Sequence, residues 1–270
     1  DPGRGPVLVS APLSTSLPGQ PAESVIQRAF AGRFSPHEPV YFIYGPDAPG
    51  AKFQFSFKYR VLGQRAQLGN ELPALRGIYA GYTQRSLWDI DAESSPFYDS
   101  SYMPELMYES QSIVNPGEAG GFKLLGYQVG VRHESNGQQG PESRSLNIAY
   151  IRPAFSFGRL DGWNVLLLPR IYDYIVDVEN NPDIRDYRGN VELTVIIGRN
   201  DRGALALTGR LGKGAHKGSL QADLTIPVKF DKMFDFASYV LIQYWNGYGE
   251  SLRSYNQRSE TVRAGFSLVR

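Results

Sequence analysis

Alternation with a period of two, sustained from about residue 39 to the last residue, most narrows what this chain can become. "AKFQFSFKYRVL" places Phe53, Phe55, Phe57, Tyr59 and Val61 on one face and Gln54, Ser56, Lys58 and Arg60 on the other. "GSLQADLTIPV", "RGNVELTV" and the final stretch over 262–268 repeat the pattern. Residues two apart share a face of a strand, so the chain reads as strands with one oily and one polar face. About twelve segments start near residues 39, 51, 76, 101, 121, 143, 162, 187, 203, 217, 236 and 257. Residues 1–36 stand apart as a Pro- and Ser-rich irregular segment, which leaves 37–270 as one β unit.

Two architectures satisfy this pattern. A soluble sandwich or barrel buries the oily face; an outer-membrane barrel turns it to lipid and keeps polar residues inside. The segments are long for soluble strands, their number is even, and the last runs to the end of the chain. Tyr79, Tyr82, Tyr172, Tyr174, Tyr239 and Tyr244 fall near segment ends, where membrane barrels carry aromatic girdles. The expected fold is therefore all-β, an antiparallel transmembrane barrel of about twelve strands in the bacterial outer membrane, with the soluble form as the alternative. No apolar run reaches the ~18 residues of a spanning helix. The formal net charge of +1 offers no basic surface for a nucleic acid. The absence of cysteine excludes disulfides and thiolate metal sites.

One stretch breaks the pattern in an informative way. In "VRHESNGQQGPESRSLN", over 131–147, His133 and Ser135 end an apolar series that counts back through Val131, Val129, Tyr127 and Leu125. Polar groups at the end of a lipid-facing stripe are costly unless they have a task. A plain hairpin turn over 136–141, with solvated serines, is the alternative reading. Asn147 lies on the apolar face of the next strand, and pairing across the hairpin would bring it beside His133. A serine hydroxyl needs a histidine to accept its proton, and the histidine needs a third group to fix its tautomer. His133, Ser135 and Asn147 supply these roles for acyl transfer, and an outward site selects a lipid as substrate.

This hairpin, with "YTQRSLW", "ESSPF", "NPDIRDYRG" and "WNGYGESLRSYN", resembles the outer membrane phospholipase A family. The resemblance implies a calcium-dependent phospholipase acting on membrane phospholipids and lysophospholipids as a homodimer, with Ser135 as nucleophile, His133 as base and Asn147 as orienting residue. It further implies a Ca2+ ion shared across the dimer by Ser143, the backbone carbonyl of Gln138, and Ser94 of the partner, with Gln84 at the interface. Gln138 replaces the family's usual arginine. Gly140 and Asn180 stand where the isolated subunit has carboxylates at a second calcium site, and Glu134 replaces an aspartate on the inward face. A non-catalytic porin-like or scaffold barrel is the rival function. The acidic run Asp177, Glu179, Asp183 and Asp186 reads as a solvated loop rather than a carboxylate-pair hydrolase.

Overall fold

The computed structural model describes residues 32–62, 67–110, 121–159, 162–176, 179–199, 202–229 and 237–270. Most of the predicted N-terminal segment, together with Asp177, lies outside the described residues. Twelve antiparallel strands form the wall: β1 (Val40–Tyr44), β2 (Ala51–Arg60), β3 (Ile78–Trp88), β4 (Phe97–Glu109), β5 (Phe122–Ser135) and β6 (Ser145–Gly158), followed by β7 (Asn164–Tyr174), β8 (Val191–Gly198), β9 (Ala204–Leu211), β10 (Gly218–Lys229), β11 (Ala237–Tyr248) and β12 (Arg258–Val269). Each strand pairs with its sequence neighbours, and β12 closes on β1 through pairs such as Phe266 with Phe42. A further two-residue strand, Phe34–Ser35, lies against Tyr59 and Lys58 of β2.

The faces settle which architecture this is. Val131 is 46% exposed, and Phe55, Leu106, Ile151 and Phe266 are likewise exposed. Lys52 and Arg263, by contrast, are 0% and 1% exposed. Oily residues point out and charged residues in, the arrangement of a barrel in lipid and the reverse of a soluble β protein. Two strand starts differ from the pattern-based positions. β4 begins at Phe97 rather than near 101, because Asp99 and Ser101, loop-like by composition, are buried inward-facing residues. β8 begins at Val191 rather than near 187, because one helical turn, Ile184–Arg188, precedes it and ends at Gly189 with φ 63°. In β5 a bulge between Leu124 and Gly126 shifts the parity. Leu124, not Leu125, is the exposed residue there.

Inside, charges are matched in layers. Lys52 Nζ donates to Gln243 Oε1 at 2.7 Å and to Glu250 Oε1 at 3.1 Å, and Arg263 Nη1 donates to the same Glu250 oxygen at 2.7 Å. Farther along, the stretch that follows Phe34–Ser35 enters the lumen. Glu38 pairs with Arg152 at 3.0 Å and Arg170 at 2.8 Å, and His37 pairs with Glu105 at 2.6 Å. Arg170 and Arg210 share Glu192 at 3.2 and 2.7 Å.

Glu250 lies in the loop after β11, where burial alone would raise its carboxyl. The charges of Lys52 and Arg263 outweigh the effect of burial and hold it below its ordinary value of 4.5. A carboxyl depressed in the folded state stabilises above its unfolded pKa, and that contribution is lost as pH falls through the folded value. The resistance of the folded barrel to heat in detergent should therefore hold at neutral pH and fall below about pH 4.5. Glu250→Gln should flatten this acid limb while costing about 3–5 kcal/mol at neutral pH, measured by the gel shift of folded against heated protein.

Candidate active site

The antiparallel register builds the site. β5 and β6 pair so that His133 faces Asn147, Glu134 faces Leu146 and Ser135 faces Ser145. His133 Nδ1 lies 2.9 Å from Asn147 Oδ1. An amide oxygen can only accept, so Nδ1 carries the proton and donates, which leaves Nε2 as the basic nitrogen. Ser135 lies two residues on, on the same outward face, and all three side chains are half-buried. Val131 and Val129 continue that face as an exposed apolar stripe. Of the expected trio, His133 and Asn147 are hydrogen-bonded at the end of β5, and Ser135 lies two residues along the same outward face.

The turn between the strands is held by Asn136, which is buried. Its Oδ1 accepts from the backbone N–H of Gln138 at 3.3 Å and of Arg144 at 2.9 Å, and its Nδ2 donates to the Glu142 carbonyl at 2.9 Å. Gly137 adopts φ 67°, and a Cβ there would meet the Tyr102 ring at 3.0 Å. Tyr102 on β4 pairs with Ser135. That ladder is interrupted between Ser135 and Arg132, where the register puts Pro104, which has no N–H to donate, opposite His133.

Support also comes from inside the barrel. Glu134, between base and nucleophile, points inward as parity requires and is 2% exposed. It accepts from Arg188 Nη1 at 3.0 Å and Ser101 Oγ at 3.0 Å, with Arg85 at 3.8 Å. Because it lies between His133 and Ser135, this inward anchor fixes the strand that carries them. Behind it Leu146, Ile148, Tyr174, Ile184, Leu252 and Tyr255 form a core cluster, so the segments "NPDIRDYRG" and "WNGYGESLRSYN" pack beneath the hairpin. Asn181, fully buried, accepts from Ser145 N at 3.2 Å and donates to Ser145 O at 3.0 Å. Asn136 and Asn181 read in the sequence as turn residues, before Gly137 and Pro182, and Arg188 carries no signal of its own as a site support.

The remaining expected residues lie around this centre. Ser143 follows the turn and is half-buried, and Asn180 Nδ2 reaches its Oγ at 3.5 Å. Gln138 and Gly140 are exposed. Ser94 is exposed in the loop after β3 and adopts φ 63°, with Ser95 at φ 43°, left-handed conformations that are uncommon for non-glycine residues. Gln84 faces outward on β3, bonded to Tyr82 Oη at 3.1 Å and Ser86 Oγ at 3.3 Å; the amide retains one donor and one lone pair beyond these. Of the acidic run, Asp183 accepts from the Tyr255 hydroxyl and Asp186 lies 3.7 Å from Lys213 and Lys217. Among the described residues no cluster of His, Asp or Glu is arranged to hold a metal.

The phospholipase A1 family model matches residues 27–268. This chain belongs to the phospholipase A1 family. Escherichia coli (strain K12) phospholipase A1 is 30% identical over 249 residues, covering 86% of this chain and 80% of that protein. A Neisseria meningitidis relative is 31% identical over 221 residues, 79% of this chain, which spans about half (53%) of its length. Among solved structures, outer membrane phospholipase A from Escherichia coli superposes with a TM-score of 0.70 at 25% identity, covering 86% of this chain and 90% of that one. The Salmonella typhi outer membrane phospholipase dimer with bound calcium gives 0.71 at 25% identity, covering 88% and 93%. The likeness extends around the whole wall and identifies the fold as a bacterial outer-membrane barrel.

Removing the oxygen that holds His133 should slow turnover without unfolding the barrel. Asn147→Ala removes the acceptor of the His133 Nδ1 hydrogen bond, worth about 1.5–3 kcal/mol where the donor is charged, an expected loss of roughly 10- to 100-fold in kcat. The measurement is fatty-acid release from phospholipid, with the heat-modifiable gel shift confirming the fold.

Proposed function

We propose that this phospholipase A1 family member hydrolyses acyl ester bonds of membrane phospholipids and lysophospholipids through a Ser135–His133–Asn147 acyl-enzyme mechanism. The observation that carries the reading is the outward His133–Asn147 pair at 2.9 Å with Ser135 beside it on a lipid-facing stripe. A lipid lying along the outer surface presents its ester carbonyl to this rim without leaving the membrane. Ser135 Oγ attacks the carbonyl carbon as His133 Nε2 takes its proton. The imidazolium formed keeps its Nδ1–H on Asn147 Oδ1, so the ring stays oriented while charged. The same Nε2 then protonates the leaving alkoxide, and a water activated by His133 cleaves the acyl-enzyme to release the fatty acid. Asparagine orients the ring without placing a second buried charge at the membrane boundary.

Calcium and dimerisation are part of the proposal. Ser143 Oγ, the Gln138 carbonyl and the partner's Ser94 are hard oxygen donors of the kind Ca2+ takes, and among the described residues no hydrogen bond occupies the Gln138 carbonyl. All three are neutral, so binding should be weak, on the order of 10⁻⁴–10⁻³ M. When bound, the ion supplies positive charge where the tetrahedral oxyanion forms. The family likeness to a dimer with bound calcium supports this, as do the strained Ser94 and the spare hydrogen-bonding capacity of Gln84.

Ser135→Ala and His133→Ala should abolish calcium-dependent fatty-acid release from vesicles while leaving the barrel folded; unchanged release would favour the non-catalytic barrel. Ser94→Gly separates strain from ligation. It removes a left-handed serine, so stability should rise by up to about 1 kcal/mol, while the calcium concentration giving half-maximal activity should increase. Equal calcium dependence in Ser94→Gly and the unaltered protein would remove Ser94 from the site.

A further inference from the structure

The turn that carries Gln138 and Ser143 also carries a carboxylate that the proposed calcium set leaves out. Glu142 is the only acid between Ser135 and Asn147, and it directly precedes Ser143. The backbone around it is committed. The Gly140 carbonyl accepts from Ser143 N–H at 3.0 Å, and the Glu142 carbonyl accepts from Asn136 Nδ2 at 2.9 Å. The Pro141 and Ser143 carbonyls both accept from Arg144 Nη1 at 2.8 Å. These bonds fix the Glu142 backbone beside Ser143 and leave its side chain free to choose a partner.

That partner comes from another part of the barrel. Both Glu142 oxygens lie against Arg253 Nη2, at 3.3 and 3.1 Å, and Arg253 belongs to the loop between β11 and β12. It is not a free surface arginine. Its backbone N–H donates to Asp99 Oδ2 at 3.0 Å and its Nη1 to the Tyr98 carbonyl at 3.1 Å, while the guanidinium lies 5.3 Å from the centre of the Tyr98 ring. Asp99 is itself buried and accepts from Ser251 Oγ at 2.8 Å. A cation held in place from β4 thus sits on the one negative charge of the turn. The pair is nevertheless open to water, with the Arg253 and Glu142 side chains 42% and 55% exposed. Ion pairs so exposed contribute little, whereas carboxylate charge strongly tunes the affinity of a calcium site.

We propose that Glu142 is a further calcium ligand, for whose carboxylate Arg253 and the ion compete. This rests on the calcium reading above and adds to it the one negative charge that its neutral donors lack. Binding exchanges the Glu142–Arg253 pair for a Glu142–ion contact beside Ser143 Oγ. Arg253 is then a built-in competitor that keeps the site weak and sets the calcium concentration at which it fills.

The test is direct calcium binding, by equilibrium dialysis of radioactive calcium against the full chain folded in detergent, at one protein concentration. Arg253→Gln should bind roughly 3- to 10-fold more tightly and Glu142→Gln more weakly by a similar factor. The double variant should bind like Glu142→Gln, because removing the competitor returns nothing once the carboxylate is gone. A second readout reports ligation rather than nearby charge. The carboxylate stretching bands that calcium shifts in the infrared difference spectrum of the unaltered protein should be diminished in Glu142→Gln. Unchanged binding in Glu142→Gln, or an unchanged difference spectrum, would overturn the proposal. So would tightening by Arg253→Gln that persists in the Glu142→Gln background. If Arg253→Gln does not fold, Glu142→Gln decides, since among the described residues its side chain is bonded to Arg253 alone. An unaltered protein that binds no calcium at millimolar concentration would refute the calcium site itself, a result distinct from binding that ignores Glu142.

Discussion

Within hydrocarbon no water is available to pair a backbone N–H or C=O, so a sheet that enters a membrane must close on itself. Here closure rests on β12 meeting a β1 of only five residues, too short to cover the whole of β2. Phe34–Ser35 takes the pairing positions of β2 that β1 leaves open. Between these two pairings the chain turns inward and delivers His37 and Glu38 to the lumen. The seam of the barrel and the charge layer at its centre are therefore one event, since Glu38 becomes the partner of Arg152 and Arg170 because the closing strand is short.

The same inside-out logic explains how a reactive site can stand on an oily surface. An outward hairpin end has lipid on one side and gains little packing there. His133 and Ser135 are held instead by what lies between and behind them: Glu134 locked to Arg188 and Ser101, Asn136 closing the turn, and Asn181 pinning Ser145. Buried ion pairs are weak arguments for net stability, because desolvation offsets much of the attraction. Their contribution here is positional. Breaking one leaves an uncompensated charge directly beneath His133 and Ser135, so strand register and the geometry of the hairpin end fail together.

Much of the wall was legible in the residues. Alternation located nearly every strand, and the trio could be placed because His133, Ser135 and Asn147 lie on adjacent strands joined by one short hairpin. The misses have physical causes. Asp99 and Ser101 look like loop residues because polarity signals solvent in soluble proteins, whereas here it signals the lumen. Leu125 loses its outward place to Leu124 because a bulge inserts one residue and reverses parity. Pro104 carries no flag in the sequence, yet the ladder is interrupted beside His133 at the place its missing N–H occupies.

By itself the sequence determined that the chain forms long two-faced strands and that His133, Ser135 and Asn147 share one face near a turn. Both properties are local, set by the two-residue period of a strand and by a hairpin of a few residues. The tertiary structure alone decided which face meets lipid and which charges meet across the lumen. Arg170 and Glu38 are far apart in the chain, and nothing near either residue records the other. Their meeting depends on how twelve strands are staggered when the sheet closes, a property of the whole circumference and of no segment within it.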